Sequence, residues 1–108
     1  MFNPNTIQQL KDDVGVDVLA QLMQVFLTES TKLVEQLTAN SVEQNEIERL
    51  AHSLKSCARS YGADQLADIA ADIETAAKSS PELAIIESKI SLLSEVHKKT
   101  LNSLPKLN

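Results

Sequence analysis

The segment IERLAHSLKSCARSYG, residues 47–62, decides the fold. At about 100° of rotation per residue in an α-helix, Ile47, Leu50, Ala51, Leu54, Ala58 and Tyr61 gather into one apolar stripe. The remaining positions are polar or charged, so the segment is an amphipathic helix with one buried face. Gly62 marks its end, as a residue suited to the positive φ that closes many helices.

Working outward, the upstream chain divides at glycines, prolines and capping residues. Asn3-Pro4 supplies a cap and a first helical residue, and a short first helix should run from there to near Gly15. From about Val16 to Ala39, Leu19, Leu22, Met23, Phe26, Leu33, Val34 and Leu37 recur at mixed three- and four-residue spacing, which predicts a long amphipathic helix. Either Ser41 with Gln44 or Asn45 with Glu48 can form the capping box that opens the third helix.

Downstream, a fourth helix is predicted from about Ala63 to Ala77, burying Leu66, Ile69, Ala70 and Ile73. Ser80-Pro81 offers a cap and first residue for a fifth, whose apolar positions are Ile86, Ile90, Leu93, Val96 and Leu101. No period-two alternation is sustained anywhere, and only two glycines are available for turns. The fold class is therefore all-α. Short connections between four amphipathic helices favour an antiparallel up-down-up-down four-helix bundle, with the short additional N-terminal helix laid across it.

Size and charge bound the function. A chain of 108 residues with 43% hydrophobic content suits one domain spanning residues 1–108. A formal net charge of −5 argues against nucleic acid as the main ligand, because binding a phosphate backbone draws on clustered Lys and Arg. A single cysteine, Cys57, excludes an intramolecular disulfide and fits a reducing compartment. The N-terminus lacks a basic region followed by an apolar stretch, and no segment approaches the roughly 18 apolar residues of a membrane span. A cytoplasmic protein without a membrane partner is expected, and nothing in the pattern demands more than a monomer.

His52 falls outside the apolar stripe of its helix. Glu48, Lys55, Ser56 and Arg59 lie at i−4, i+3, i+4 and i+7 from it, the positions that surround a residue on a helix surface. The imidazole should therefore face water or a partner, beside a local concentration of cations on an acidic protein. That arrangement suits a histidine that carries phosphate. Lys55 and Arg59 disfavour imidazolium, which keeps the ring nucleophilic, and attract a dianionic phosphoryl group once it is attached; Glu48 opposes both effects. His97 has no comparable setting and reads as an ordinary solvated side chain. Cys57 and Tyr61 read as packing residues at the flank of the stripe, and Gly62 as a structural turn.

The run Ala51-His52-Ser53-Leu54-Lys55-Ser56, followed by Gly62-Ala63 and by Leu66 to Glu74, resembles a histidine-containing phosphotransfer (HPt) domain. Phe26-Leu27 and the leucines of the long second helix resemble the first bundle helix of that family, so the likeness covers most of the chain. From Ala51 to Ala67, especially Leu54-Lys55-Ser56 and Tyr61-Gly62-Ala63-Asp64, the chain is further similar to the quorum-sensing member of the family. It departs at Ser56, where many members have glycine; serine is still small enough for a partner's active site to close over the ring. The dimerisation helix of histidine kinases is a poorer comparison. There an acidic residue follows the histidine and a proline stands a few positions later, where this chain has Ser53 and Cys57. Without a glycine-rich nucleotide box or room for an ATP-binding domain, the chain should not phosphorylate itself.

The resemblance implies a phosphoryl relay between receiver-domain aspartates. His52 is the phosphorylated nucleophile, Lys55, Arg59, Ser56 and Glu48 support the phosphate or the partner, and Mg²⁺ is supplied by the receiver. The expected partners are the receiver domain of a hybrid sensor kinase and a downstream response regulator. Two other classes compete. A metal-binding bundle needs several inward-facing Glu and Glu-x-x-His ligands from different helices, whereas Glu48 and His52 form a single outward pair. A non-catalytic adaptor could dock a receiver or kinase without accepting phosphate, and the intact His52 argues against it.

Overall fold

The structure is a computed structural model that describes residues 2–39, 43–79 and 82–105. Five helices follow one another: α1 (Pro4–Val14), α2 (Val16–Thr38), α3 (Gln44–Ser60), α4 (Asp64–Lys78) and α5 (Leu83–Asn102). No strand occurs among the described residues. The helices α2 to α5 each pack on the next, and α5 closes the ring against both α4 and α2. The molecule is elongated along the helices, 45 × 20 × 18 Å.

Local chemistry sets most boundaries where the sequence predicts them. Asn3 caps α1, its Oδ1 accepting from the backbone N–H groups of Asn5 at 2.9 Å and Thr6 at 3.3 Å, and Pro4 follows at the first helical position. Gly15, at φ +84°, breaks α1 from α2; its N–H donates to the Lys11 carbonyl and its own carbonyl accepts from Leu19. The α3 helix closes in a Schellman motif. Gly62, at φ +78°, donates to the Arg59 carbonyl at 3.2 Å, and Ala63 donates to the Ala58 carbonyl at 2.8 Å. Both alanines are fully buried, which supplies the apolar contact that accompanies this motif.

The opening of α3 differs from the expected Asn45–Glu48 capping box, and the Ser41 alternative lies outside the described residues. Glu43 is its N-cap and makes no side-chain cap bond, while Asn45 lies inside the first turn. Gln44 turns to α4, donating from Nε2 to the Ala77 carbonyl at 2.6 Å. Ser41 and the expected Ser80-Pro81 cap lie outside the described residues; α5 begins at Leu83, with Glu82 as its N-cap.

The core runs the length of the bundle through Leu19, Phe26, Leu37, Leu54, Leu66, Ile73, Ile86 and Leu93, all at most 1% exposed. Burial of such side chains contributes roughly 1.5–3 kcal/mol each relative to exposure. Leu22, Leu33, Tyr61, Ile90, Val96 and Leu101 form a half-buried rim around it. The Phe26 ring holds one end together, edge-on to Phe2 at 5.6 Å and tilted against Tyr61 at 5.3 Å.

One expectation is corrected. His97 is not a solvated side chain: it is 6% exposed and its Nε2 lies 3.0 Å from Ser30 Oγ, itself fully buried. Position 97 is one turn beyond Leu93 on the inward stripe of α5, so the pair stitches α5 to α2 within the core. Burial lowers the His97 pKa from its ordinary value, holding the ring neutral.

Candidate functional site

Small residues bring α3 and α4 close together: Ala51 and Ala58 on one helix, Ala67, Ala70 and Ala77 on the other, all buried. Across this seam Glu74 lies on the inward stripe of α4, four residues after Ala70 and three before Ala77. Its side chain is 8% exposed, and it reaches the polar edge of α3. Oε2 stands 2.8 Å from His52 Nδ1, and Oε1 accepts from Lys55 Nζ at 2.6 Å. Lys78, one turn along α4, places Nζ 3.6 Å from Oε2.

A carboxylate this buried requires compensating partners. The bond from Lys55 is the largest influence on Glu74; burial opposes it, and the His52 bond with the charges of Lys55 and Lys78 prevails, so that the carboxyl is pulled down to about 2. Glu74 is therefore ionised at neutral pH and can only accept hydrogen bonds. It follows that Nδ1 of His52 carries the proton. In the neutral ring the lone pair is then on Nε2, on a side chain that is 60% exposed. The arrangement presents one nitrogen as a nucleophile and fixes the ring by the other.

The candidate residues read from the sequence fall into two groups. His52, Lys55 and Glu48 line one open cleft with Glu74, Lys78 and Arg49. Arg49 is engaged by Glu46 at 2.6 Å. Ser56 and Arg59 are exposed further along α3 and do not line the cleft. Gly62 forms the turn beyond them. Lys55 is not a spare cation, since its side chain is 20% exposed and bonded to Glu74. Glu74 and Lys78 are the residues that sequence reasoning missed. The available signal was an acidic residue standing where the α4 pattern calls for an apolar one. Among the described residues, no three His, Cys, Asp or Glu side chains converge as a metal site. Among the described residues, no helix is long and apolar enough to cross a membrane.

The Hpt domain family model matches residues 21–100, and the chain belongs to that family, whose members transfer phosphoryl groups through histidine in two-component phosphorelays. Among curated relatives it is similar to the phosphorelay protein LuxU of Vibrio vulnificus, at 27% identity over 90% of this chain and 86% of that protein. LuxU of Vibrio cholerae is 29% identical over 89% of each chain. The Vibrio harveyi protein of the same name is 32% identical over 72% of this chain and 70% of its own. No solved structure gives a significant match.

Proposed function

We propose that His52 is the phosphorylated residue and that this chain relays a phosphoryl group between receiver-domain aspartates. The observation that carries this reading is the Glu74 carboxylate on Nδ1, which leaves Nε2 as the nucleophile on an exposed ring. The Nε2 lone pair attacks the phosphorus of an aspartyl phosphate; the N–P bond forms, the acyl O–P bond breaks, and the aspartate leaves as carboxylate. The reverse displacement hands the group to a second aspartate. Such a transfer depends on positioning and on charge stabilisation over the phosphoryl oxygens. The receiver supplies Mg²⁺ and the acidic residues that hold it, and this chain supplies the oriented ring.

The partners are a hybrid sensor kinase's receiver domain and a downstream response regulator, met in the cytoplasm by a monomer. The similarity to LuxU proteins supports a relay of the quorum-sensing type. Docking centres on α3 and the adjoining flank of α2. Ser56 and Arg59, exposed beyond the histidine on α3, extend that surface.

Incubation with a labelled, phosphorylated receiver domain and Mg²⁺ tests the reading. Acid-labile label is expected on the wild type and none on His52→Ala. Absence of label on both, across a panel of receivers, overturns the relay in favour of an adaptor that docks without accepting phosphate.

A further inference from the structure

Three cations line the cleft around His52, and two of them are already engaged. Arg49 is bonded to Glu46 at 2.6 Å, and Lys55 to Glu74 at 2.6 Å with its side chain largely covered. Lys78 is different: its nearest carboxylate oxygen lies at 3.6 Å, outside hydrogen-bonding distance, and its side chain is 59% exposed. That oxygen is Oε2 of Glu74, the same atom that accepts from His52 Nδ1. The ammonium of Lys78 thus stands beside the ring on a flexible stem.

Phosphorylation changes the charge of this corner. A phosphoryl group adds close to two negative charges and three strong acceptor oxygens, on a ring whose other nitrogen touches the Glu74 carboxylate. Two like charges are then held on opposite sides of one imidazole. Lys55 cannot turn to the new group without leaving a buried carboxylate short of its strongest partner. Lys78 gives up only a loose contact.

We propose that Lys78 is the phosphoryl-binding cation of this protein, swinging from Glu74 to the oxygens of the phosphoryl group on His52 and holding it between transfers. This rests on His52 being the phosphorylated residue. Because the group is held as a dianion, Lys78 slows loss of the phosphoryl group to water; Arg in its place retains the charge, and Gln does not.

The test needs no protein partner. Phosphoramidate phosphorylates an exposed imidazole directly: the Nε2 lone pair forms the N–P bond while the P–N bond of the reagent breaks and ammonia leaves. After removal of the reagent, decay of the acid-labile phosphate is followed in the wild type, Lys78→Gln, Lys78→Arg and His52→Ala. Decay about two- to fivefold faster in Lys78→Gln is expected, the range of an exposed ion pair. Lys78→Arg should restore the wild-type rate, and added salt should narrow the gap. Wild-type decay in Lys78→Gln overturns the role of Lys78 alone. Equal labelling of wild type and His52→Ala, or no label on either, overturns the assignment of His52 and the proposal with it.

Discussion

Glutamine at position 74 keeps the shape of the side chain and removes its charge. The amide has no preference for orienting its oxygen toward Nδ1 while two ammonium groups press on the same site, so the ring loses its fixed tautomer. For Glu74→Gln we expect phosphoryl acceptance to fall roughly tenfold or more, the scale of one charge-assisted hydrogen bond. Initial rates of transfer from a phosphorylated receiver measure it. Lys55→Ala acts differently, because it strips Glu74 of its strongest partner. It should cost about 1–3 kcal/mol of stability in urea unfolding, with the Glu74 carboxyl titrating higher. A stability unchanged within error would mean that Lys78 and water replace Lys55. His52 itself was legible from one helix, since its exposure follows from the phase of the apolar stripe on α3. Glu74 and His97 were not: each is a polar residue in an inward position whose partner belongs to another helix, Glu74 meeting α3 and His97 meeting Ser30 of α2. Pattern identifies the position as buried; only the packing says what satisfies it.

At the level of the helices, boundaries written in backbone conformation were readable and those written in tertiary bonds were not. Gly15 and Gly62 both take positive φ, as their places between helices predict. The bond from Gln44 to Ala77 was not readable, because its acceptor is supplied by α4. The two glycines differ in a way the sequence conceals. A Cβ at Gly15 enters open space, whereas at Gly62 it would lie 2.9 Å from the Thr6 Cβ of α1. Gly15→Ala should therefore cost only the strain of a backbone at φ +84°, ψ 166°, about 1–3 kcal/mol, whereas Gly62→Ala adds the displacement of Thr6 to its own positive-φ strain. Chemical unfolding of the two variants side by side gives the comparison. A Thr6→Ala background that leaves the cost of Gly62→Ala unchanged would show that α1 yields freely at that contact.

The whole molecule should weaken in acid in two stages, because two buried groups have pKa values below their ordinary ones. His97 resists protonation in the folded state, so the unfolded chain binds the extra proton and stability falls as pH drops below about 6.5. Glu74 is held as a carboxylate, so its contribution is complete above pH about 4.5 and disappears as pH falls toward 2. Thermal midpoints across that acid range should show both steps, with His97→Gln removing the first and Glu74→Gln the second. A single step that neither variant alters would place the acid sensitivity elsewhere. The architecture at this scale was the most legible part of the chain. Apolar spacing sets the number of helices, and short connections leave neighbours little choice except to pack side by side.

The Asn3 junction bears on how the chain reaches this state. Besides capping α1, Asn3 donates from its backbone to the Gly62 carbonyl at 2.7 Å and from Nδ2 to Asp64 Oδ2 at 3.1 Å. These bonds join the N-terminal end of α1 to a turn some sixty residues further along the chain. Until α3 has formed and turned, the α1 segment can rest on α2 but lacks its anchor at the turn. Closing so long a loop carries an entropic cost that is recovered only once α2, α3 and α4 have assembled. The α1 helix is thus among the last elements to settle fully, and its arrival marks a completed turn beyond His52.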